Sequence, residues 1–463
     1  MMSRAHFRPT ELTLLVFSAL ILGVALVALQ ISLENDLDSE VFTVVGGYVA
    51  TFGVAHVVLC LKAPEADQIM LPIAALLNAL GLVMIYRIDL ALDSSRATSQ
   101  IMWTVIGVVI FCAVIIAMKS HQNLQNYAYL LGLGGLVLSA LPIVWPTSIN
   151  ADAKVWISIG PVSIQPGEFA KIMLLIFFAA LLVNKRTMFT VAGRRVLGLQ
   201  FPRLRDLGPI LLVWGIAILI MAAQNDFGPA LLLFGTVLGM LYIATGRPSW
   251  LVIGIGLAAI GAWGVFQISD KIQDRFTNYL DPIANYDGNG YQLAQALFGM
   301  SFGGVTGTGL GEGYPQIVPV AWSDFILSSV GEELGFVGLA AVLILFAVLV
   351  TRGFTTALRT PDSFGKLVAA GLSFTMAIQV FVVTGGISKL LPMTGLTTPF
   401  MSHGGSSLLA NYILLAILLK ISHDGRLRRA AAAGDGAGDS AAVDGPADSA
   451  GHPGTGLNQE VQK

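Results

Sequence analysis

Twelve predominantly apolar runs divide this sequence, and each approaches the length that an α-helix needs to cross a bilayer. Such a span takes about 20 residues, because the hydrocarbon core is about 30 Å thick and a helix rises about 1.5 Å per residue. Backbone polar groups in lipid must be hydrogen-bonded within the segment, and a helix achieves this. The runs lie at 12–33, 41–61, 69–86, 101–118, 127–145, 168–183, 207–224, 229–245, 250–268, 325–350, 367–383 and 406–422. The sequence therefore predicts an all-α, polytopic integral membrane protein with about twelve transmembrane helices.

Composition excludes the main soluble classes. Of the 463 residues, 55% are hydrophobic and 12% are charged, and the mean hydropathy is +0.75. These values are too apolar for a soluble globular domain. The sequence contains no Walker-type phosphate loop, no Cys/His metal cluster and no basic patch, so we expect no nucleic-acid partner. Cys60 and Cys112 both fall in apolar runs, which favours two small residues in helices over a disulfide.

The basic residues indicate how the spans are oriented. With twelve alternating spans, most Lys and Arg residues fall on the side of the N-terminus, and this excess is typical of cytoplasmic loops. The opposite side holds only Arg87, Arg96, Lys154, Lys271, Arg275 and Lys389. We therefore predict a plasma-membrane protein with cytoplasmic N- and C-termini. The first run, 12–33, lacks a small-residue cleavage site and is expected to be a retained helix.

Four of the loops predicted on the outer side are rich in polar groups, Gly and Pro. They comprise 146–167, 224–228, 269–324 and 384–405. Loops of this length are commonly functional, and 269–324 is a large extracellular loop before the tenth span. The tail from Ala430 onward is rich in Ala, Gly, Asp, Ser and Pro, and we expect it to be disordered because it cannot bury enough apolar surface.

Carboxylates occur where membrane segments begin, and ionisable groups at that depth mark functional sites. Glu168 and Lys171 are three residues apart, hence on one helix face, where they either neutralise each other inside the bundle or bind substrate. Asp226 either caps the next helix or has a substrate or metal role. Asp324 has the same two interpretations, a helix cap or a catalytic carboxylate.

We expect other charged residues of the outer side to converge on Asp324. They are Arg275, Lys389, Glu332 and Glu333. His403, beside two glycines, is either a base or a residue that stabilises a turn through hydrogen bonds.

Six motifs in sequence resemble one known family. They are GPVSIQPGEFAKI (160–172), QNDFGPALLL (224–233), YQLAQALFGMSFGG (291–304), GTGLGEG (307–313), SDFILSSVGEELGFVG (323–338) and LPMTGLTTPFMSHGGSSLLANY (391–412). These resemble the shape, elongation, division and sporulation (SEDS) family, also called the RodA/FtsW/SpoVE family, over about residues 70–425. Within it, the chain resembles the actinobacterial RodA branch more than the division-specific FtsW branch.

The resemblance implies an organisation as well as an activity. It divides the chain into two extra N-terminal helices within 1–68, a ten-helix polymerase core at 69–425 and a tail at 426–463. Family members are peptidoglycan glycosyltransferases that polymerise lipid II, a disaccharide-pentapeptide on undecaprenyl diphosphate, at the outer face of the plasma membrane. They work with a class B penicillin-binding protein, the cross-linking transpeptidase, and a divalent cation, Mg²⁺ or Mn²⁺, supports activity in relatives.

The family motifs also assign residues. The essential Asp of the SDF or TDF motif corresponds to Asp324, Glu168 and Lys171 correspond to QPSE-x-x-K, and Asp226 corresponds to QPDLG. Three departures from the family pattern limit this transfer. Val318-Pro319-Val320 stands where many relatives have LPE, Gly167 replaces the Ser of QPSE, and His403 replaces the Tyr of SYGGSS.

The implied reaction requires a base and a cation. A sugar hydroxyl loses its proton as it attacks, and Asp324 is the predicted base. The departing diphosphate requires positive charge, which Arg275, Lys389, Lys154 or a bound metal would supply, and the metal ligands are unassigned. A lipid II flippase and a non-catalytic scaffold that recruits the transpeptidase are the alternatives. No internal repeat typical of transporters is evident in the sequence.

Overall fold

The computed structural model describes residues 7–34, 39–145, 155–160, 162–185, 195–196, 199–200, 204–224 and 226–441. The described part is almost entirely helical. Its helices are α1 Pro9–Ser32, α2 Ser39–Lys62, α3 Met70–Leu92, α4 Arg96–Ala117, α5 Asn123–Asn126, α6 Ala128–Val144, α7 Pro166–Asn184, α8 Leu204–Ala223, α9 Phe227–Thr245, α10 Ser249–Ile268, α11 Asp270–Leu280, α12 Tyr291–Gly303, α13 Ile326–Glu333, α14 Gly335–Arg359, α15 Ser363–Ile387 and α16 Gly405–Ala441. Two short antiparallel hairpins pair β1 Ile157–Ile159 with β2 Val162–Ile164 and β3 Arg195–Val196 with β4 Leu199–Gln200.

The prediction of a polytopic helical membrane protein is confirmed. Ten of the described helices are long and apolar enough to cross a membrane, and Ala128–Val144 is a shorter apolar helix of 17 residues. Helix α8, with 20 residues, covers nearly all of the predicted span 207–224, so every predicted span is helical. Both cysteines are free thiols, as predicted.

Helices α3, α7, α15 and α16 form the centre of the bundle, because most of their residues are buried. Helices α1, α2, α10 and α14 are mainly exposed within the chain, and their apolar surfaces are the ones available to lipid. A helix that is apolar all round and buried is typical of the interior of a membrane bundle.

One predicted span is divided. The run 325–350 forms two helices, α13 and α14, separated at Leu334. The backbone N–H groups of Thr308 and Gly309 donate to the carbonyls of Glu332 and Glu333, at 3.0 and 3.1 Å, across this break. Gly335 has a φ of +66°, a conformation that favours glycine. The glycine-rich segment 304–313 therefore packs against the interruption, and its backbone satisfies carbonyls that the helix leaves unpaired.

The extra N-terminal helices are joined to the core at the end opposite Asp324. Arg8 is 0% exposed and donates to the carbonyls of Ala63, Ala66 and Asp67 at 3.0, 2.9 and 2.9 Å, besides pairing with Glu11. This guanidinium thereby links the start of α1 to the connection between α2 and α3.

The C-terminal prediction needs correction in part. Disorder was expected from Ala430 onward, within the tail assigned to 426–463, but α16 continues to Ala441. Several alanines follow Arg429, and alanine has the highest intrinsic helix propensity. Residues 442–463 lie outside the described residues.

Candidate active site

Asp324 lies in the loop immediately before α13. That helix begins at Ile326 with Phe325 as its N-cap residue, so the alternative that Asp324 caps it does not fit. The Oγ of Ser323 donates to Oδ1 of Asp324 at 3.1 Å. The carboxylate is half-buried, at the end of the bundle where the loops predicted to be outer gather.

The loop that carries Asp324 is fixed by a second loop, 394–403. The Oγ of Ser402 donates to the carbonyl of Ser323 at 2.7 Å, and the backbone N–H of His403 donates to the carbonyl of Trp322 at 2.8 Å. The same Ser402 hydroxyl accepts from the backbone N–H of Thr398 at 2.8 Å. Because these bonds constrain the two residues that precede Asp324, its carboxylate is preorganised.

Arg275, on the amphipathic helix α11, approaches Asp324 across Gly395. Its Nη1 donates to the carbonyl of Thr394 at 3.2 Å. A methyl group placed on Gly395 would lie 3.3 Å from Nη2 of Arg275 and 3.7 Å from Oδ2 of Asp324. Gly395 also has a φ of +73°, which a residue with a side chain adopts only with strain. The glycine therefore leaves space between the two charged groups.

Burial and charge oppose each other at these residues. Burial raises the pKa of Asp324 above its usual value, while the hydrogen bond from Ser323 and the charge of Arg275 lower it. Burial lowers the pKa of Arg275, while Asp226 and Asp324 raise it. A carboxyl with a raised pKa beside a cation is typical of functional sites.

Asp226 belongs to the same electrostatic cluster. It is the N-cap residue of α9 and makes no side-chain hydrogen bond of full capping geometry, but the backbone of Gly228, two residues on, interacts with its carboxylate, so the capping interpretation stays beside the functional one. The pKa of Asp226 is raised to about 6, chiefly by burial and to a smaller extent by the charge of Glu168, against the lowering effect of Lys271, Arg275 and the Gly228 backbone. Asp226 and Asp324 thus share Arg275 as a counter-charge.

Glu168 and Lys171 pair inside the bundle, which agrees with the interpretation that they neutralise each other there. Nζ of Lys171 lies 2.6 Å from Oε2 of Glu168 and 3.3 Å from Oε1 of Gln379. The two residues are 6% and 7% exposed. Gln379 in turn donates to the carbonyl of Thr397 at 2.8 Å, so the ion pair supports the loop that packs against Asp324.

Glu332 and Glu333 do not converge on Asp324, and that expectation was wrong. Glu333 Oε1 accepts from Nε of Arg87 at 2.9 Å and its Oε2 from the N–H of Gly311 at 3.1 Å. Glu332 Oε1 accepts from the N–H of Tyr314 at 2.6 Å. Because α13 ends here, both carboxylates face the glycine-rich segment, and they hold it rather than the site.

The remaining predicted residues have separate outcomes. Lys389 is exposed, with a φ of +57°, and no contact among the described residues joins it to Asp324. Lys154 lies outside the described residues. Nε2 of His403 is buried without a hydrogen-bond partner, and burial lowers the pKa of this imidazole, opposed by Asp89. The described ranges contain no cluster of three or more His, Cys, Asp or Glu side chains able to hold a metal.

Comparison with known proteins matches most of the chain to one family. The family model for the cell cycle proteins FtsW, RodA and SpoVE matches residues 67–427. The chain belongs to the FtsW/RodA/SpoVE family. The peptidoglycan glycosyltransferase RodA of Mycobacterium tuberculosis is 48% identical over 427 residues, covering 90% of this chain and 91% of the relative. The stage V sporulation protein E of Bacillus subtilis is 32% identical over 379 residues, covering 79% and 99%.

A solved structure shares the FtsW/RodA/SpoVE fold. This structure belongs to a peptidoglycan synthase complex that coordinates polymerization and crosslinking. One of its chains matches this chain with a TM-score of 0.56 and 26% identity. The match covers 83% of this chain and 97% of that chain. Asp324, Asp226, Glu168 and Lys171 all fall within the segment that matches the family.

The sequence analysis did not identify two residues that contribute to the site, Lys271 and Gly395. Lys271 acts on Asp226, and its position four residues before Arg275 places both cations on one face of α11. The four-residue spacing could have indicated Lys271 as a site residue. No local pattern could have indicated the role of Gly395, because its importance depends on side chains that come from distant parts of the chain.

Proposed function

We propose that this chain is a peptidoglycan glycosyltransferase that polymerises lipid II at the outer face of the plasma membrane, in cell elongation and shape. The observation that carries the proposal is the preorganised Asp324 carboxylate with Arg275 on the other side of Gly395. The identity to RodA of M. tuberculosis, 48%, favours elongation over division.

In the proposed reaction, the 4-hydroxyl of one lipid-linked sugar attacks the anomeric carbon of another. A glycosidic C–O bond forms, the bond from the anomeric carbon to the diphosphate breaks, and undecaprenyl diphosphate leaves with the electron pair. Asp324 accepts the hydroxyl proton, a contribution of about 10² to 10⁴ in rate. Its raised pKa makes it a stronger base than an exposed aspartate, and it remains able to ionise because Arg275 stabilises the charged form.

Positive charge is required where the diphosphate departs. Arg275 and Lys271 lie on α11 beside Asp226, and we assign the leaving group to this side of the site. Lys389 and Lys154 remain in the proposal as further cations of the same outer loops. Asp226 would orient Arg275, and the Glu168–Lys171 pair would maintain the loop at 394–403.

We also propose a divalent cation, Mg²⁺ or Mn²⁺, as an ion shared with substrate. Mg²⁺ is commonly held by one or two carboxylates together with substrate phosphates. With Asp324 acting as the base, Asp226, which interacts with Arg275, is the carboxylate that would hold it. The ion would neutralise charge on the diphosphate.

The proposal includes orientation and partner. The excess of Lys and Arg on the N-terminal side supports cytoplasmic termini, which places Asp324 outside. We also propose a class B penicillin-binding protein as partner, supported by the similar solved chain from a synthase complex that coordinates polymerization and crosslinking.

Polymerisation of labelled lipid II by the purified protein, with Mg²⁺ or Mn²⁺ and glycan chains separated on a gel, tests the function. We expect chains from the wild type and from Asp287→Asn, a control that neutralises an exposed aspartate. Asp324→Asn should form none while it retains its thermal unfolding temperature. Movement of lipid II between leaflets without chain formation would instead identify a flippase. Chains from Asp324→Asn at the wild-type rate would eliminate the base assignment.

A further inference from the structure

A second polar site lies at the far end of the bundle from Asp324. Helix α14 begins next to the glycine-rich segment and ends at Arg359, which is roughly 36 Å along its axis. There a shallow cleft, with a cavity volume of only ≈ 10 Å³, opens to solvent. Its lining includes Arg359 from α14, Arg426 and Arg429 from α16, and Asp67 from the connection between α2 and α3.

Positive charge exceeds negative charge in this cleft. Its one lining carboxylate, Asp67, has Oδ2 at 2.6 Å from Nη2 of Arg352, outside the lining, and at 3.7 Å from Nη2 of Arg426. Arg429 donates to the carbonyl of Arg359, and the guanidinium of Arg359 takes part in none of the ion pairs found among the described residues.

Neighbouring carboxylates are already paired with other cations. Asp362 lies 2.8 Å from Nε2 of His121 and 3.7 Å from Nη1 of Arg428. Asp424 lies 2.8 Å from Nδ1 of His121 and 3.7 Å from Nζ of Lys420. The positive charge of the cleft is therefore only partly neutralised by carboxylates of the described residues. Arginine forks match phosphate oxygens in a bidentate geometry.

The surroundings of the cleft are apolar as well as basic. Leu358, which precedes Arg359, is 81% exposed, and Leu427, which follows Arg426, is 48% exposed. Both α14 and α16 reach this end directly from membrane spans. A soluble phosphate compound would gain nothing from exposed leucines at a membrane boundary, whereas a phospholipid presents its phosphate and its acyl chains together. Basic pockets between transmembrane helices bind anionic headgroups in this way.

We propose that the cleft formed by Arg359, Arg426 and Arg429 binds the phosphate of an anionic phospholipid from the adjacent leaflet. The lipid would bridge α14 and α16, two helices that both run from the Asp324 end of the bundle toward this cleft. Binding here does not require lipid II or turnover, so it is independent of the polymerase proposal.

Binding of dioctanoyl phosphatidylglycerol to the purified full chain in neutral detergent tests the proposal. The readouts are the dissociation constant and the lipid-induced rise in unfolding temperature, with dioctanoyl phosphatidylcholine and inorganic phosphate as the other ligands. The test variant is Arg359→Gln/Arg429→Gln, in which both replaced residues are exposed. The matched control, Lys119→Gln/Lys366→Gln, removes two exposed lysines from the same end of the bundle. Arg359→Gln alone serves if the double variant unfolds.

We expect the wild type to prefer phosphatidylglycerol over phosphatidylcholine. Loss of each arginine should raise the dissociation constant about tenfold, as for one charge-assisted contact, and the control should stay within about threefold of the wild type. Equal losses in the control would show general attraction by a basic surface and overturn the assignment. Displacement of the lipid by inorganic phosphate at equal concentration would overturn it as well, because the site would then bind soluble phosphate.

Discussion

Replacement of Arg275 by Gln should move the acidic limb of the pH–rate profile to higher pH. Asp324 acts as a base only when it is ionised, so the rate rises as pH passes its raised pKa. The charge of Arg275 lowers that pKa, and its loss therefore makes ionisation harder. The variant should need a higher pH than the wild type to reach half of its own maximal rate.

The structure sets the size of this shift. The contacts of Gly395 place Nη2 of Arg275 and Oδ2 of Asp324 no more than about 7 Å apart. At an effective dielectric constant of about 20, two unit charges at ~7 Å interact by ~2 kcal/mol. Both groups are half-buried, and solvent screening reduces the interaction to about 1 kcal/mol. The midpoint should accordingly move by about one pH unit or slightly less.

The assay is the initial rate of glycan formation from labelled lipid II, measured across pH for three proteins. Arg275→Lys retains the positive charge and should keep the limb near its wild-type position, whatever its maximal rate. Asp226 also lies within the field of Arg275, so the pair of profiles is repeated in an Asp226→Asn background. A limb that stays in place in Arg275→Gln, or a shift that disappears with Asp226→Asn, would refute Asp324 as the titrating base.

Three further predictions concern the residues that hold the fold. Lys171→Met should lower the free energy of unfolding by about 3–5 kcal/mol, since it leaves Glu168 buried without its partner. In thermal unfolding, Glu168→Gln/Lys171→Met should recover part of this loss. An unchanged unfolding temperature in the single variant contradicts the role of the pair. Arg87→Gln should lower the free energy of unfolding by a similar ~3–5 kcal/mol, because Glu333 loses its buried counter-charge. Limited proteolysis should then cut the glycine-rich segment 304–313. If the segment stays protected in the variant, Arg87 is not needed to hold it. At His121, burial lowers the pKa, but the hydrogen bonds with two carboxylates outweigh it and raise the pKa above its usual value. The stabilisation is therefore complete below the pKa of His121 in the unfolded chain and is lost as pH rises through its pKa in the folded protein. Over that pH range the unfolding temperature should decline in the wild type and not in His121→Gln. Parallel plots of unfolding temperature against pH for the two proteins would exclude the effect.

Much of the architecture followed from local sequence. Each apolar run of bilayer length becomes a helix because lipid offers no other partner to the backbone. This holds even for α6, with 17 residues, and for α8. The spacing of Glu168 and Lys171 similarly predicted a pair on one face, because residues three apart on a helix are neighbours. The motif around Asp324 identified the carboxylate before any geometry was known.

The sequence by itself determined that the chain is a polytopic bundle of membrane helices, and it determined the family and the identity of the candidate base. The tertiary structure decided which charges meet. It brought Arg275 to Asp324 across Gly395, and it turned Glu332 and Glu333 away toward the glycine-rich segment. Helix formation depends on neighbours within a few residues, whereas Arg275 and Thr394 touch across 119 positions. Contacts of that separation are fixed by the packing of the whole bundle, which local periodicity does not encode.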